Sequence, residues 1–116
     1  MMRRGQIRVV DLAPARGAEA DKRRPAVIVS NDGANRMAST LGHGVLTVVP
    51  VTSSVERVYP FQVLLPSGTA GLKRDSKAQA EQVRAIAVER IGDLLGSLPD
   101  EAMAALDGAL RLHLAL

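Results

Sequence analysis

The stretch "DKRRPAVIVSND", residues 21–32, decides how this chain is read. Three cations, Lys22, Arg23 and Arg24, run directly into Pro25 and then into the apolar segment Ala26 to Val29. Proline fixes its own φ and biases the residue before it toward extended backbone. An unbroken, β-branched apolar run of this length reads as a strand covered on both faces. Asn31-Asp32-Gly33 then supplies turn chemistry. The result is a basic step at the mouth of a buried strand, whereas solvated basic clusters ordinarily sit in loops or tails.

Working outward, "GQIRVVDLAP" (5–14) reads as a strand ended by Ala-Pro, with Ile7 and Val9 on one face and Gln6, Arg8 and Val10 on the other. "ARGAEADKRR" reads as a loop and "NRMASTLGHG" as a second polar connection. "VLTVVPVTSS" (45–54) is β-branched and strand-like, with a bulge or a sheet edge expected at Pro50, which cannot donate to a ladder. "YPFQVLLP" and "EQVRAIAV" (81–88) read as further short strands, "GTAG" (68–71) as a turn, and "VERIGDLLGSLP" as one short helical turn. The C-terminal segment changes period, placing Met103, Leu106, Leu110 and Leu114 on one helical stripe. Ser97 and Asp100 resemble a capping box at its start. About five short strands and a terminal helix predict a mainly β, α+β fold, a small, partly open barrel with a helix on its side.

At 116 residues the chain suits one domain spanning 1–116. Hydrophobic residues are 47% and charged residues 23%, ordinary for a globular protein, so disorder is not expected. With one Tyr and one Phe, the core must be aliphatic, and both rings read as core or dimer packing rather than as platforms for bases. The absence of cysteine excludes disulfides, thiol chemistry and cysteine-ligated zinc, and fits a reducing cytoplasm. Nothing reads as a signal peptide or a bilayer-length span. A net charge of +3 permits an acidic partner such as nucleic acid without demanding one.

Neither His43 nor His113 has a ligand-like partner, and there is no phosphate-binding glycine loop. The polar stretches that remain all sit at strand ends. From spacing alone they read as the polar caps of a small barrel.

Taken together, "GAEADKRRPAVIVSND", "VVPVTSS", "YPFQVLL" and "KAQAEQVRAIAVERI" resemble, in order and spacing, the signature blocks of the MazF/PemK/Kid family of toxins. The resemblance covers nearly the whole chain. It implies a CcdB/MazF-like twisted antiparallel sheet with SH3-type features and a C-terminal helix. It also implies metal-independent, sequence-specific cleavage of single-stranded RNA with no cofactor, a homodimer, and restraint by a cognate MazE-like antitoxin. Matched residue by residue, the catalytic arginine is Arg24 and its partner threonine is Thr52. Glu19, in the preceding loop, is either a base or a group that orients Arg24. The resemblance sets Asp11, Asn31, Glu81 and Gln82 as RNA-contact positions, with Arg23 and Ser53 beside the catalytic pair. Lys73, Arg74 and Lys77 read as a solvated basic rim that attracts the RNA backbone.

This chemistry is self-consistent. RNA carries its own nucleophile, the 2′-hydroxyl, so the protein supplies orientation, proton management and positive charge against the crowded phosphorus. A guanidinium offers several donors in a fixed fork, and such preorganised donors stabilise developing charge. The chain departs from the family at Gln6, usually acidic, at Arg8, commonly aromatic, and at Ala18, often serine. The first two make the opening strand more basic and bear on which RNA sequence is cut. Two rival readings are a same-fold, non-enzymatic toxin that inhibits a protein such as gyrase, and an RNA-binding barrel without catalysis.

Overall fold

The computed structural model describes residues 1–12, 16–18 and 22–116. Among these, seven strands form an antiparallel sheet: β1 Gln6–Asp11, β2 Arg23–Ile28, β3 Val45–Thr52, β4 Gln62–Leu65, β5 Ser76–Gln79, β6 Arg84–Ala87 and β7 Ile91–Ser97. Their order is β4-β5-β3-β2-β1-β7, with β6 also paired to β3. Two helices complete the described chain, α1 Asp32–Leu41 and α2 Asp100–Leu114. The mainly β architecture with a C-terminal helix is the one expected, but it holds two more strands and one more helix than the sequence suggests.

Both faces of the sheet are covered, which explains the continuous Ala-Val-Ile-Val run of β2. Val27 points into one core with Ile7, Val49 and Leu106 of α2. Ala26 and Ile28 point into the other with Val10, Val48 and Ala38 of α1. The period-two assignment of β1 places Ile7 and Val10 in different cores. Val10 shares its face with Gln6 and Arg8, yet it is fully buried because that face has a core of its own. Burying one such side chain contributes about 1.5–3 kcal/mol.

Helix α1 replaces the polar connection expected at residues 35–44. Its signals are at its ends: Asn31 Oδ1 accepts from the Ala34 amide at 2.8 Å, and Gly42, with φ 72°, closes the helix through its amide on the Ala38 carbonyl. Only Asn35 and Ala38 are buried; the apolar positions Ala34, Met37, Ala38 and Leu41 share one helical face, but Met37 and Leu41 on it stay exposed. Ile91–Ser97 is a strand rather than a helical turn; it pairs with β1, and the 3-10 turn Val88–Arg90 precedes it. The Ser97–Asp100 capping box does not form, because Ser97 is held opposite Gln6 in the sheet and Pro99 occupies the cap position without a side-chain bond. Along α2, Leu106 and Ala109 are buried while Leu114 is 49% exposed.

Pro50 lies inside the sheet, buried, rather than at an edge or bulge. The Val29 amide donates to the Thr47 carbonyl at 2.9 Å, on the same register as Val27↔Val49. In an antiparallel ladder bonded and non-bonded pairs alternate, so Ala26↔Pro50 is a non-bonded pair and the Pro50 nitrogen faces away from β2. On that side β3 changes partner, from β6 over Val45–Val48 to β5 at Val51–Thr52. The missing N–H falls in the gap between them.

Candidate functional site

The same alternation sets the geometry of the strand ends. One rung beyond Ala26↔Pro50, Pro25 stands across from Val51, at a pair that would normally exchange two hydrogen bonds. Pro25 has no N–H to contribute, and the β2–β3 ladder ends before it. One rung further, Arg24 stands across from Thr52 at a non-bonded pair, where an undisturbed ladder brings Cα atoms to about 4.5 Å. β1 and β5 hold these ends from outside, through Val10↔Arg24 and Thr52↔Lys77. Arg24 and Thr52 are therefore each anchored to an outer strand, two residues beyond the last β2–β3 pair.

A cavity of ≈ 350 Å³ opens at these strand ends. Pro25, Val51 and Leu72 form its apolar part, Thr52, Ser53 and Ser76 bring hydroxyls, and Lys22, Arg23, Arg24, Lys73 and Arg74 bring positive charge. No carboxylate is among these lining residues. Lys22 adopts a left-handed φ of 65° as the chain enters β2, a conformation a non-glycine residue holds only under constraint. Thr52 Oγ1 accepts from the Ser54 amide at 3.2 Å, which fixes the side chain and leaves the hydroxyl hydrogen to be donated.

The structure thus brings together Arg23, Arg24, Thr52 and Ser53. Asp11 closes β1 in register with Arg23 and is half-buried. Glu81 and Gln82 lie elsewhere, on the 3-10 turn Ala80–Gln82 rather than on a strand. They line a separate cavity of ≈ 500 Å³ with Ala18, Val83 and Arg84. Glu81 Oε2 accepts from Gln62 at 2.7 Å, its Oε1 is buried without a partner, and Gln82 Nε2 donates to the Ala18 carbonyl at 3.0 Å. Asn31 caps α1 and does not line the groove. Glu19 lies outside the described residues.

Two expectations about cations change. Lys73 and Arg74 do line the groove, but Lys77 is 8% exposed and is no solvated rim residue. Arg8 donates to Gln6 Oε1 and to the Gly92 carbonyl, both at 3.1 Å, so the two unusual residues of β1 brace that strand against β7 and stay out of the groove. Ser76 and Leu72 were not singled out from sequence. Placing them requires knowing that Ser76–Gln79 is a strand beside β3, which its short polar sequence does not announce. Among the described residues no cluster of three His, Asp or Glu side chains is assembled, and no helix is long and apolar enough to cross a membrane.

The model of the PemK-like, MazF-like toxins of type II toxin–antitoxin systems matches residues 3–114. The chain belongs to this family. It is 60% identical to endoribonuclease MazF9 of Mycobacterium tuberculosis, over all of this chain and 98% of the relative. It is 32% identical to endoribonuclease EndoA of Bacillus subtilis, over all of this chain and 97% of that one. Among solved structures, MazF from Deinococcus radiodurans superimposes with a TM-score of 0.82 at 26% identity, over 99% of this chain and 97% of that one. In this MazF-like chain the basic groove lies just past the last paired residues of β2 and β3.

Proposed function

We propose that the chain is a sequence-specific, metal-independent endoribonuclease toxin acting on single-stranded RNA. The observation that carries this reading is the convergence of Arg24 and Thr52 in one cation-lined groove. In the proposed reaction the 2′-oxygen of one nucleotide attacks its own 3′-phosphorus and loses its proton. The bond from phosphorus to the next 5′-oxygen breaks, and that oxygen gains a proton. The products are a 2′,3′-cyclic phosphate and a 5′-hydroxyl. Arg24 stabilises the charge that builds on the phosphoryl oxygens, while Thr52 donates a hydrogen bond to a phosphate oxygen or to the leaving group. Glu19 is the candidate for the base or for the group that orients Arg24.

The same reading makes the chain a single cytoplasmic domain that works as a homodimer. Its antitoxin lays an acidic, extended segment along the groove and competes with RNA for the five cations. The family description, a toxin of a toxin–antitoxin pair, supports that partner.

The test is to incubate the protein with a long mixed RNA in chelator and sequence the ends. Discrete cuts bearing 2′,3′-cyclic phosphate and 5′-hydroxyl termini are expected. Intact RNA at every protein concentration would overturn the nuclease reading.

A further inference from the structure

Beside the groove lies a second arrangement that the Arg24–Thr52 chemistry does not use. Thr52 is paired in register with Lys77, which is 8% exposed. A lysine this deeply placed ordinarily has a carboxylate against it, since an uncompensated buried charge is costly. Among the described residues Lys77 has none within ion-pairing distance. Its ammonium donates once, to the Arg57 carbonyl at 2.6 Å, and an ammonium has three donors. Two remain for a ligand.

The Tyr59 ring centre lies 6.0 Å from the Lys77 ammonium. Tyr59 is 41% exposed, so of the two roles expected from sequence, core or dimer packing, the core role is excluded within one chain. It lies flat on Phe61, with ring centres 5.3 Å apart and planes within 2°, and His113 stands 6.5 Å from Phe61. The Tyr59 amide donates to Gln62 Oε1 at 3.1 Å, and its hydroxyl accepts from Arg57 at 3.3 Å. The ring is thus a plate on an aromatic pedestal, with the Arg57 guanidinium 5.8 Å and the Lys77 ammonium 6.0 Å from its centre, over the ring. The loop that carries it leaves β3 through Ser53, which lines the groove.

We propose that Tyr59, Lys77 and Arg57 form a nucleotide subsite continuous with the Thr52 end of the groove. One unpaired base of the RNA stacks on Tyr59, and the phosphate beside that base takes the open donors of Lys77. A flat aromatic plate next to cations suits a nucleotide, because unpaired bases in single strands are bound by stacking while their backbone is bound by charge. Stacking tolerates every base, so the subsite contributes grip and placement more than sequence choice. The inference rests on the groove being an RNA-cleavage site.

The experiment begins with cut sites mapped by the wild-type protein. An oligonucleotide spanning one site, with a single 2′-deoxy at the attacking position, is then walked with an abasic residue. Wild-type affinity is expected to fall about 5- to 150-fold at one position near the cut. Tyr59→Leu is expected to bind the intact strand more weakly by the same factor and to be indifferent to the abasic residue there, with Tyr59→Phe restoring the sensitivity. Lys77→Met is expected to reduce the slope of log affinity against log salt by about 0.7. An identical abasic profile in wild type and Tyr59→Leu overturns the subsite, as does an unchanged salt slope in Lys77→Met. If Tyr59→Leu does not fold, a wild-type profile with no sensitive position overturns it alone. Failure of the wild type to cut any RNA strikes the endoribonuclease reading instead, which keeps the two failures apart.

Discussion

Arg24 and Thr52 stand across from each other two rungs beyond the last paired residues of their strands, Ala26 and Pro50, and both line the basic groove. The residue between Arg24 and the intact ladder is Pro25. The outer strands β1 and β5 pair with these ends, through Val10↔Arg24 and Thr52↔Lys77. A groove built this way needs no flexible loop to present its cation.

Removing the guanidinium should therefore lower the rate without unfolding the protein. Arg24→Ala is expected to slow single-turnover RNA cleavage by about 100- to 1,000-fold, with the thermal midpoint little changed. Arg24→Lys should recover only part of the loss, because a point charge replaces a fixed fork. An Arg24→Ala protein that cuts at the wild-type rate would remove Arg24 from the chemistry.

Restoring the missing donor should close the groove. Pro25→Val supplies an N–H opposite Val51, adding a hydrogen bond worth about 0.5–1.5 kcal/mol against a loss of about 0.4–1 kcal/mol from a looser unfolded chain. These nearly cancel, so stability should hardly move, while the new amide at this position becomes protected from hydrogen exchange and cleavage slows. Rapid exchange at that amide would show that the ladder does not extend.

Glycines at close backbone contacts should tolerate no side chain. A Cβ at Gly96 would stand 2.6 Å from the Ala70 carbonyl group, and one at Gly71 would meet the Leu95 carbonyl. Gly96→Ala is expected to destabilise by about 1–3 kcal/mol, and Gly71→Ala by at least as much, since its φ is 80°. Gly108 is the control: inside α2 an added Cβ meets nothing within 4 Å, so Gly108→Ala should stabilise by about 0.5–1 kcal/mol. Chemical denaturation of the three variants measures all of these.

The hidden helix α1 is tied to the sheet by polar atoms. Asn35 is fully buried; its Nδ2 donates to the Ser30 carbonyl at 2.9 Å, while Ser30 Oγ donates to Asn35 Oδ1 and accepts from the Thr47 amide. Asn35→Ala removes the donor to the Ser30 carbonyl and the acceptor of the Ser30 hydroxyl, and should cost about 1–3 kcal/mol. A change under about 0.5 kcal/mol in a denaturant titration, the low end for a single hydrogen bond, would mean that water replaces the amide freely.

The strands with strong β-branched patterns, β2 and β3, were legible from sequence, and so was the terminal helix with its leucine spacing. Helix α1 was missed although its caps and the spacing of Ala34, Met37, Ala38 and Leu41 were there to read, because its polar residues and two flanking glycines give the segment a loop-like composition. Strands β5 and β7 were missed for a related reason. Ser76–Gln79 is polar and Ile91–Ser97 contains two glycines, and each becomes a strand because a neighbour offers it a ladder. The buried state of Lys77 and the exposure of Tyr59 were illegible for the same cause, since both depend on where β5 and the 53–61 loop come to rest.

By itself the sequence excluded thiol chemistry, having no cysteine, and set a cation before a proline and a threonine at the end of a β-branched run; only the family resemblance singled those two out as candidates for chemistry. The sequence also determined that the segment after Arg24 would be buried, because four consecutive apolar residues cannot all remain in water cheaply. The tertiary structure decided which of those residues meet. Register is a property of two strands and not of one, so only pairing could bring Arg24 opposite Thr52, take Asn31 away to cap a helix, and turn Lys77 inward beside an aromatic plate.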